Sequence, residues 1–439
     1  MRRTWLVVIP GLAVVAVLGR HLVTRDASGP VLATVWLGQP LAPAVALVDT
    51  GAGRAFVATL AEGPLRPKQS RSLVSIVDTR TGRLLGTIPA GDGVPSMAVD
   101  RRTGHLFLVG SSAANVGLVS LLDAATGAVL RATTVGTIPA AVAVDGRTNR
   151  LFVIGGGSGW GTPSGAPHTD PSVVRVFDAR TLRLLRTVPL AVSPHGVAVD
   201  ERDGRVFVGT YADVSVLDAR DGRLLGTIRG VNGILAVDPP AGRVFMRDSS
   251  ISPVRIGDAR TGQLLGRVAV QGRALNAWGV PLTAAVDAQS GVVLMLDAGT
   301  RDATGAVLQP GVVSVVDGPR ARILRTIRVG GGSSAITIDA KGRRAYVANT
   351  DDGTVSVLDL RRWEVSRVIA LGGSPVALAF DDRTGHLVVA LDRLAGLRPP
   401  DPWGWLPMGI RARMPFLPPR PTPDVHVPGG GMSVLRPDG

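Results

Sequence analysis

Six histidines and no cysteine bound the chemistry open to this 439-residue chain. Without cysteine there is no disulfide, no thiolate nucleophile, no cysteine-ligated zinc and no C-x-x-C-H haem attachment. His21 lies beside an apolar N-terminal run, and His105 and His386 stand at turn positions where arginine is usual, which leaves His168, His195 and His426. Three imidazoles with Asp170 or Asp424 would suit a metal. Their separation carries no ligand-spacing signature, so neither a metal nor any other cofactor is expected. Glutamate is confined to Glu62, Glu201 and Glu364, and most aspartates fall in turns, so no catalytic acid or base is assigned. Dinucleotide, Walker, G-x-S-x-G and H-E-x-x-H motifs are absent. What remains are recognition-type side chains: Trp160, Trp278, Trp403, Trp405, Arg411 and Arg413, together with the three histidines.

These residues must be carried by a repeating scaffold. Eight apolar runs end in aspartate, at Asp49, Asp100, Asp145, Asp200, Asp238, Asp287, Asp339 and Asp381, with spacings of 38 to 55 residues. Most lead through a short turn into a second apolar strand, as in Asp200-Glu-Arg-Asp-Gly204-Arg-Val-Phe-Val208. Aspartate can accept from backbone N–H groups two residues on, and glycine closes a short hairpin at positive φ. A third strand of the form Val-Ser-Val-Leu-Asp follows, for example Val214 to Asp218, and a second turn leads to a fourth, such as Leu224 to Ile228. Four antiparallel strands per repeat make one propeller blade. The fold class is therefore all-β, an eight-bladed β-propeller, with seven blades as the alternative.

The last copy supplies only three strands, Val376 to Asp381, Leu387 to Leu391 and Met432 to Leu435, while Val31 to Gly38 has the fourth-strand pattern at the other end of the chain. The N-terminal strand is expected to close the ring and so protect its edges. The first strands are continuously apolar (Ala-Val-Ala-Val, Gly-Val-Ala-Val), which predicts burial on both faces.

In the seventh copy, Ala345-Tyr-Val-Ala-Asn349, then Thr354-Val-Ser-Val-Leu-Asp359 and later Ser374-Pro375-Val-Ala-Leu-Ala-Phe380, resemble the YVTN-type repeat of the YncE-like propeller family. The likeness extends over nearly the whole chain after residue 30, although most copies replace Tyr-Val with Phe-Val. It implies an exported or surface-associated protein. Related propellers include binding modules, lactonases and cofactor-dependent oxidoreductases, so the resemblance implies no particular activity.

Every long insertion lies between second and third strands: Leu60 to Ser72, Gly110 to Asn115, Gly155 to Pro171, Asp297 to Gly311 and Asp392 to Gly430. One face of the ring is thus plain and the other carries loops, where binding groups concentrate. The last insertion holds ten prolines with Trp403, Trp405, Arg411, Arg413 and His426, as either a docking arm or a plug. Basic Met1-Arg2-Arg3 followed by apolar Trp5 to Gly19 reads as an export signal or uncleaved anchor within residues 1–25, leaving 26–439 as one propeller domain in a periplasmic, cell-surface or membrane-anchored setting.

The net charge of +14 is nearly all arginine, since Lys68 and Lys341 are the only lysines. No nucleic-acid-binding signature accompanies it, and turn aspartates beside the plain-face arginines imply local neutralisation. The expectation is a monomeric, non-enzymatic binding or scaffold propeller whose loop-bearing face engages a protein, peptide or envelope polymer. The alternatives are a lactonase, lyase or oxidoreductase acting at the channel mouth, and anion or membrane-surface binding through the arginine-rich turns.

Overall fold

The computed structural model describes residues 23–24, 31–36, 41–61, 71–111, 116–136, 138–156, 171–248, 253–270, 283–301, 307–394 and 431–437. Among them every regular element is a β-strand. In blade four, Pro194–Asp200, Arg205–Thr210, Asp213–Asp218 and Leu224–Arg229 pair antiparallel in chain order. Blades three, five and seven repeat that order. Blade six adds a hairpin, Thr300–Arg301 against Val307–Gln309, between its second and third strands. Blades one and two share a sheet because the strand Leu84–Asp100 leaves the outer edge of one and continues as the innermost strand of the other.

The eighth blade closes as the sequence predicts. Gly373–Asp381, His386–Leu394 and Gly431–Leu435 fill three positions, and Val31–Trp36 fills the fourth, with Val31 opposite Leu435 and Trp36 opposite Gly431. The strand Val23–Thr24, which the sequence reading leaves in the export segment, pairs as a fifth, opposite Val35 and Thr34. First strands neighbour one another around the ring, and those of blades one and eight meet. The architecture is an eight-bladed propeller.

The core follows the same count. Among the described residues there are eight hydrophobic clusters, one between each pair of consecutive blades. The third residue of each second strand (Phe56, Phe107, Phe152, Phe207, Phe245, Leu294, Tyr346, Val388) is buried in the cluster shared with the following blade. Burying one such side chain contributes about 1.5–3 kcal/mol. A buried knob of this kind thus recurs at every interface.

One expectation is corrected. The first strands are only half-buried over most of their length, whereas second strands such as Arg205–Thr210 are buried from their second residue onward. The innermost strand has an unpaired edge along the channel, so its apolar run reflects packing against both neighbours and leaves that edge open.

Candidate functional site

The plain face binds itself together. Its turns are built on aspartate: Asp258 Oδ1 accepts from the N–H groups of Arg260 (3.0 Å) and Thr261 (2.8 Å), and chiefly the latter bond holds the carboxyl below the usual range. The first residue of the second strand pairs with the aspartate ending the third, as in Arg54–Asp78 (2.9 Å), Arg243–Asp258 (3.8 Å) and Arg150–Asp178 (3.9 Å). The same arginines reach the next blade, Arg150 Nε donating to the carbonyl of Arg220 at 2.8 Å. Further round, Arg102 donates to Gly146 O (2.6 Å), Arg147 to Glu201 O (2.6 Å) and Arg202 to Pro240 O (2.8 Å). Much of the positive charge seen in the sequence is thus spent on holding blades in register, although Arg80, Arg180, Arg220 and Arg260 stay exposed.

At the opposite end of the strands, one sequence candidate can be placed. Trp160, His168, Trp278, Trp403, Trp405, Arg411, Arg413 and His426 lie outside the described residues. His195, second residue of the first strand of blade four, stands at the channel end of the loop-bearing face. Its imidazole stacks on Tyr211, ring centroids 4.8 Å apart and planes 29° from parallel. Tyr211 directly follows the blade's second strand and is 64% exposed. From blade five, Gly233 meets the imidazole at its Nε2 edge, with φ at +120° and a would-be β-carbon 2.6 Å from His195 Nε2. Glycine is required at such a backbone angle, and here it also makes room for the ring.

Arg247 completes the group. It is half-buried near the end of Arg243–Asp248, with Nε donating to Asn232 Oδ1 at 2.7 Å and Nη2 to Asn232 O at 3.1 Å. No carboxylate lies in ion-pair range of it among the described residues, while its neighbour Asp248 is paired with Arg255 at 2.7 Å. Burial lowers the pKa of the guanidinium. Burial, and secondarily the charge of Arg247, also pushes His195 below the ordinary histidine value, so the ring is neutral at pH 7. Its Nδ1 is buried with no hydrogen-bond partner among the described residues. The arrangement offers a fixed cation, a neutral imidazole and an exposed phenol at one mouth.

Only part of this group departs visibly from the repeat. Arg247 is the fifth residue of a second strand, where the other blades carry Ala58, Val109, Ile154, Gly209, Leu296, Ala348 and Ala390. A charge there is the signal that was available, along with Asn232 and Gly233 where blade four has Pro194 and His195. In blade seven the equivalent end is purely structural: Asn349 Oδ1 accepts from Gly330 N and Ser333 Oγ, and its Nδ2 donates to Thr354 and Ser356. In blade six, Asp297 is buried with Oδ2 unpartnered among the described residues, and burial raises its pKa. No group of three or more His, Asp or Glu residues suited to a metal occurs among the described residues.

No protein-family model matches the chain, and neither does any curated protein. Solved structures do. BamB from Moraxella catarrhalis is 14% identical, covers 94% of this chain and 100% of its own, and superposes with a TM-score of 0.54. The computationally designed Ika8 protein is 16% identical, over 81% of this chain and 95% of that one, with a TM-score of 0.57. A europium-containing methanol dehydrogenase is 14% identical, over 90% and 93%, with a TM-score of 0.52. At these identities the likeness establishes the propeller fold alone. No helix among the described residues is long and apolar enough to cross a membrane.

Proposed function

We propose that this chain is an extracytoplasmic binding propeller of YncE-like type, engaging a protein, peptide or envelope polymer through its loop-bearing face. The observation that carries the reading is the contrast between faces. On the plain face many arginines are engaged, by turn carbonyls of the next blade or by an aspartate of their own. On the loop-bearing face a half-buried arginine has no counter-ion among the described residues and lies beside an exposed, stacked tyrosine. Aromatic and arginine side chains of this kind are the usual anchors of interfaces.

Photo-crosslinking in the native envelope tests it, with the reactive residue placed at Tyr211 or, on the plain face, at Arg361. Discrete adducts from position 211 and none from 361 support the reading; no adduct at 211, or the same adducts from both, overturns it. An enzyme at the same mouth is the second reading, favoured by the neutral imidazole beside a guanidinium, a pairing suited to moving a proton next to an anionic centre. Turnover abolished by H195Q and retained in Y211A would select it.

A further inference from the structure

We propose that Arg247, His195 and Tyr211, positioned by Asn232 and Gly233 between blades four and five, form a receptor site for one carboxylate group. The inference rests on the loop-bearing face being the binding face and names the ligand chemistry of that face.

Three features converge on it. Among the described residues the partly buried guanidinium meets no carboxylate, and a bound anion would offset the cost of burying its charge. Two of its nitrogens are fixed by Asn232, at 2.7 Å and 3.1 Å, so the guanidinium plane is set before a ligand arrives, and Nη1 has no partner among the described residues. A planar fork held in one orientation is matched to a planar carboxylate.

The surroundings decide the charge. His195 is neutral at pH 7, so the described residues of the site supply one positive charge, which suits a monoanion better than a dianion such as phosphate. The stacked pair His195–Tyr211 walls the site with an aromatic surface, and the 64% exposure of Tyr211 leaves its ring free to cover the apolar part of the ligand. The two glycines behind the wall are forced by this geometry. A β-carbon on Gly233 would meet His195, and one on Gly209 would lie 2.9 Å from Gly233 Cα. Neither the repeat nor the core needs a histidine, a tyrosine and an arginine here.

Ring resonances of histidine-labelled full-length protein, with His195 assigned from H195Q, provide the readout. The probes are N-acetyl-Ala-Ala as free acid, its C-terminal amide, glucuronate and inorganic phosphate. The free acid is expected to move the His195 signals saturably, the amide to leave them in place, and R247Q to weaken the response by about ten- to a hundredfold, as loss of a charged hydrogen-bond partner does. Y211A, altered at an exposed side chain, should weaken it severalfold while the fold is kept, and carries the test if R247Q does not fold. A response to the dipeptide acid alone identifies a peptide terminus as the source; a response to glucuronate as well identifies any accessible carboxylate. Equal responses to acid and amide, phosphate saturating at lower concentration than either carboxylate, or no response to any carboxylate overturns the proposal. Crosslinks at Tyr211 without a carboxylate response would overturn this assignment and leave the binding reading standing.

Discussion

His195 and Gly233 occupy equivalent places in adjacent blades, and the imidazole of the first fills the space a side chain on the second would need. G233A therefore combines a backbone at φ +120° that alanine resists with a β-carbon 2.6 Å from Nε2. We expect a loss of at least about 1–3 kcal/mol in denaturant unfolding and displacement of the ring from Tyr211. Unchanged His195 resonances in a folded G233A protein would contradict this contact.

The pH response of His195 follows from its surroundings. Burial first and Arg247 second depress its pKa, so the unfolded chain binds a proton that the fold refuses. Stability linked to this group is present above the ordinary histidine value and is lost as pH falls toward the folded value. Direct titration should give a midpoint below 6.5, and R247M should move it part of the way back. A midpoint insensitive to R247M would show burial acting alone.

Asp297 behaves oppositely. Its raised pKa, caused by burial and only partly offset by the N–H of Gly299 at 2.7 Å, makes the protonated form the better one in the fold. The stability it contributes is complete below the ordinary aspartate value and is lost as pH rises through the folded value. Relative to the parent, D297N should gain stability between pH 3.5 and pH 7, read from urea midpoints at both. Parallel pH profiles for the two proteins would count against the raised pKa.

The scaffold was legible because each copy repeats the same physical demands: a turn aspartate, a buried third residue and an apolar second strand. Asp258, Phe207 and the closing strand Val31–Trp36 all lie where those demands put them. The site was less legible for the same reason. His195 stood out only as an unassigned histidine, whereas Arg247 was hidden in a strand whose pattern predicts an apolar residue, and Tyr211 in a two-residue turn. What joins them is packing between blades, which pairs residues 195 and 233 that no local rule links. The half-burial of the first strands was missed because an apolar run does not reveal that one edge faces a channel.

The interblade knobs should carry most of the stability that a single substitution can remove. Phe207 is fully buried among Val244, Met246 and Ala259 of the next blade, so F207A is expected to cost about 3–5 kcal/mol. L224S, on the outer strand of the same blade where the side chain is 46% exposed, should change stability by about 0.5 kcal/mol or less. Similar costs for the two would mean that the blade edge, and not the interface, limits unfolding.

Closure provides the last test, because it joins the two ends of the chain through one ladder. Val31–Trp36 pairs with Gly431–Leu435 within blade eight, and at the interface of that blade with blade one Thr79 Oγ1 donates to Asp381 Oδ2 at 2.5 Å while the His386 ring nitrogen Nδ1 meets Thr79 O at 2.8 Å. Thr34, opposite Ser433 and Thr24, sits in the middle of that ladder. T34P removes an N–H donor there, and proline inside a paired strand forfeits a ladder bond. The exposed edge of Gly431–Leu435 then becomes available to other chains. We expect T34P to associate with rising concentration and to exchange the amides of Met432–Val434 faster than those of blade four, whereas T79A should weaken the interface between blades one and eight without association. A monomeric T34P with blade-eight amides as protected as the parent's would show that the ring holds without its N-terminal strand.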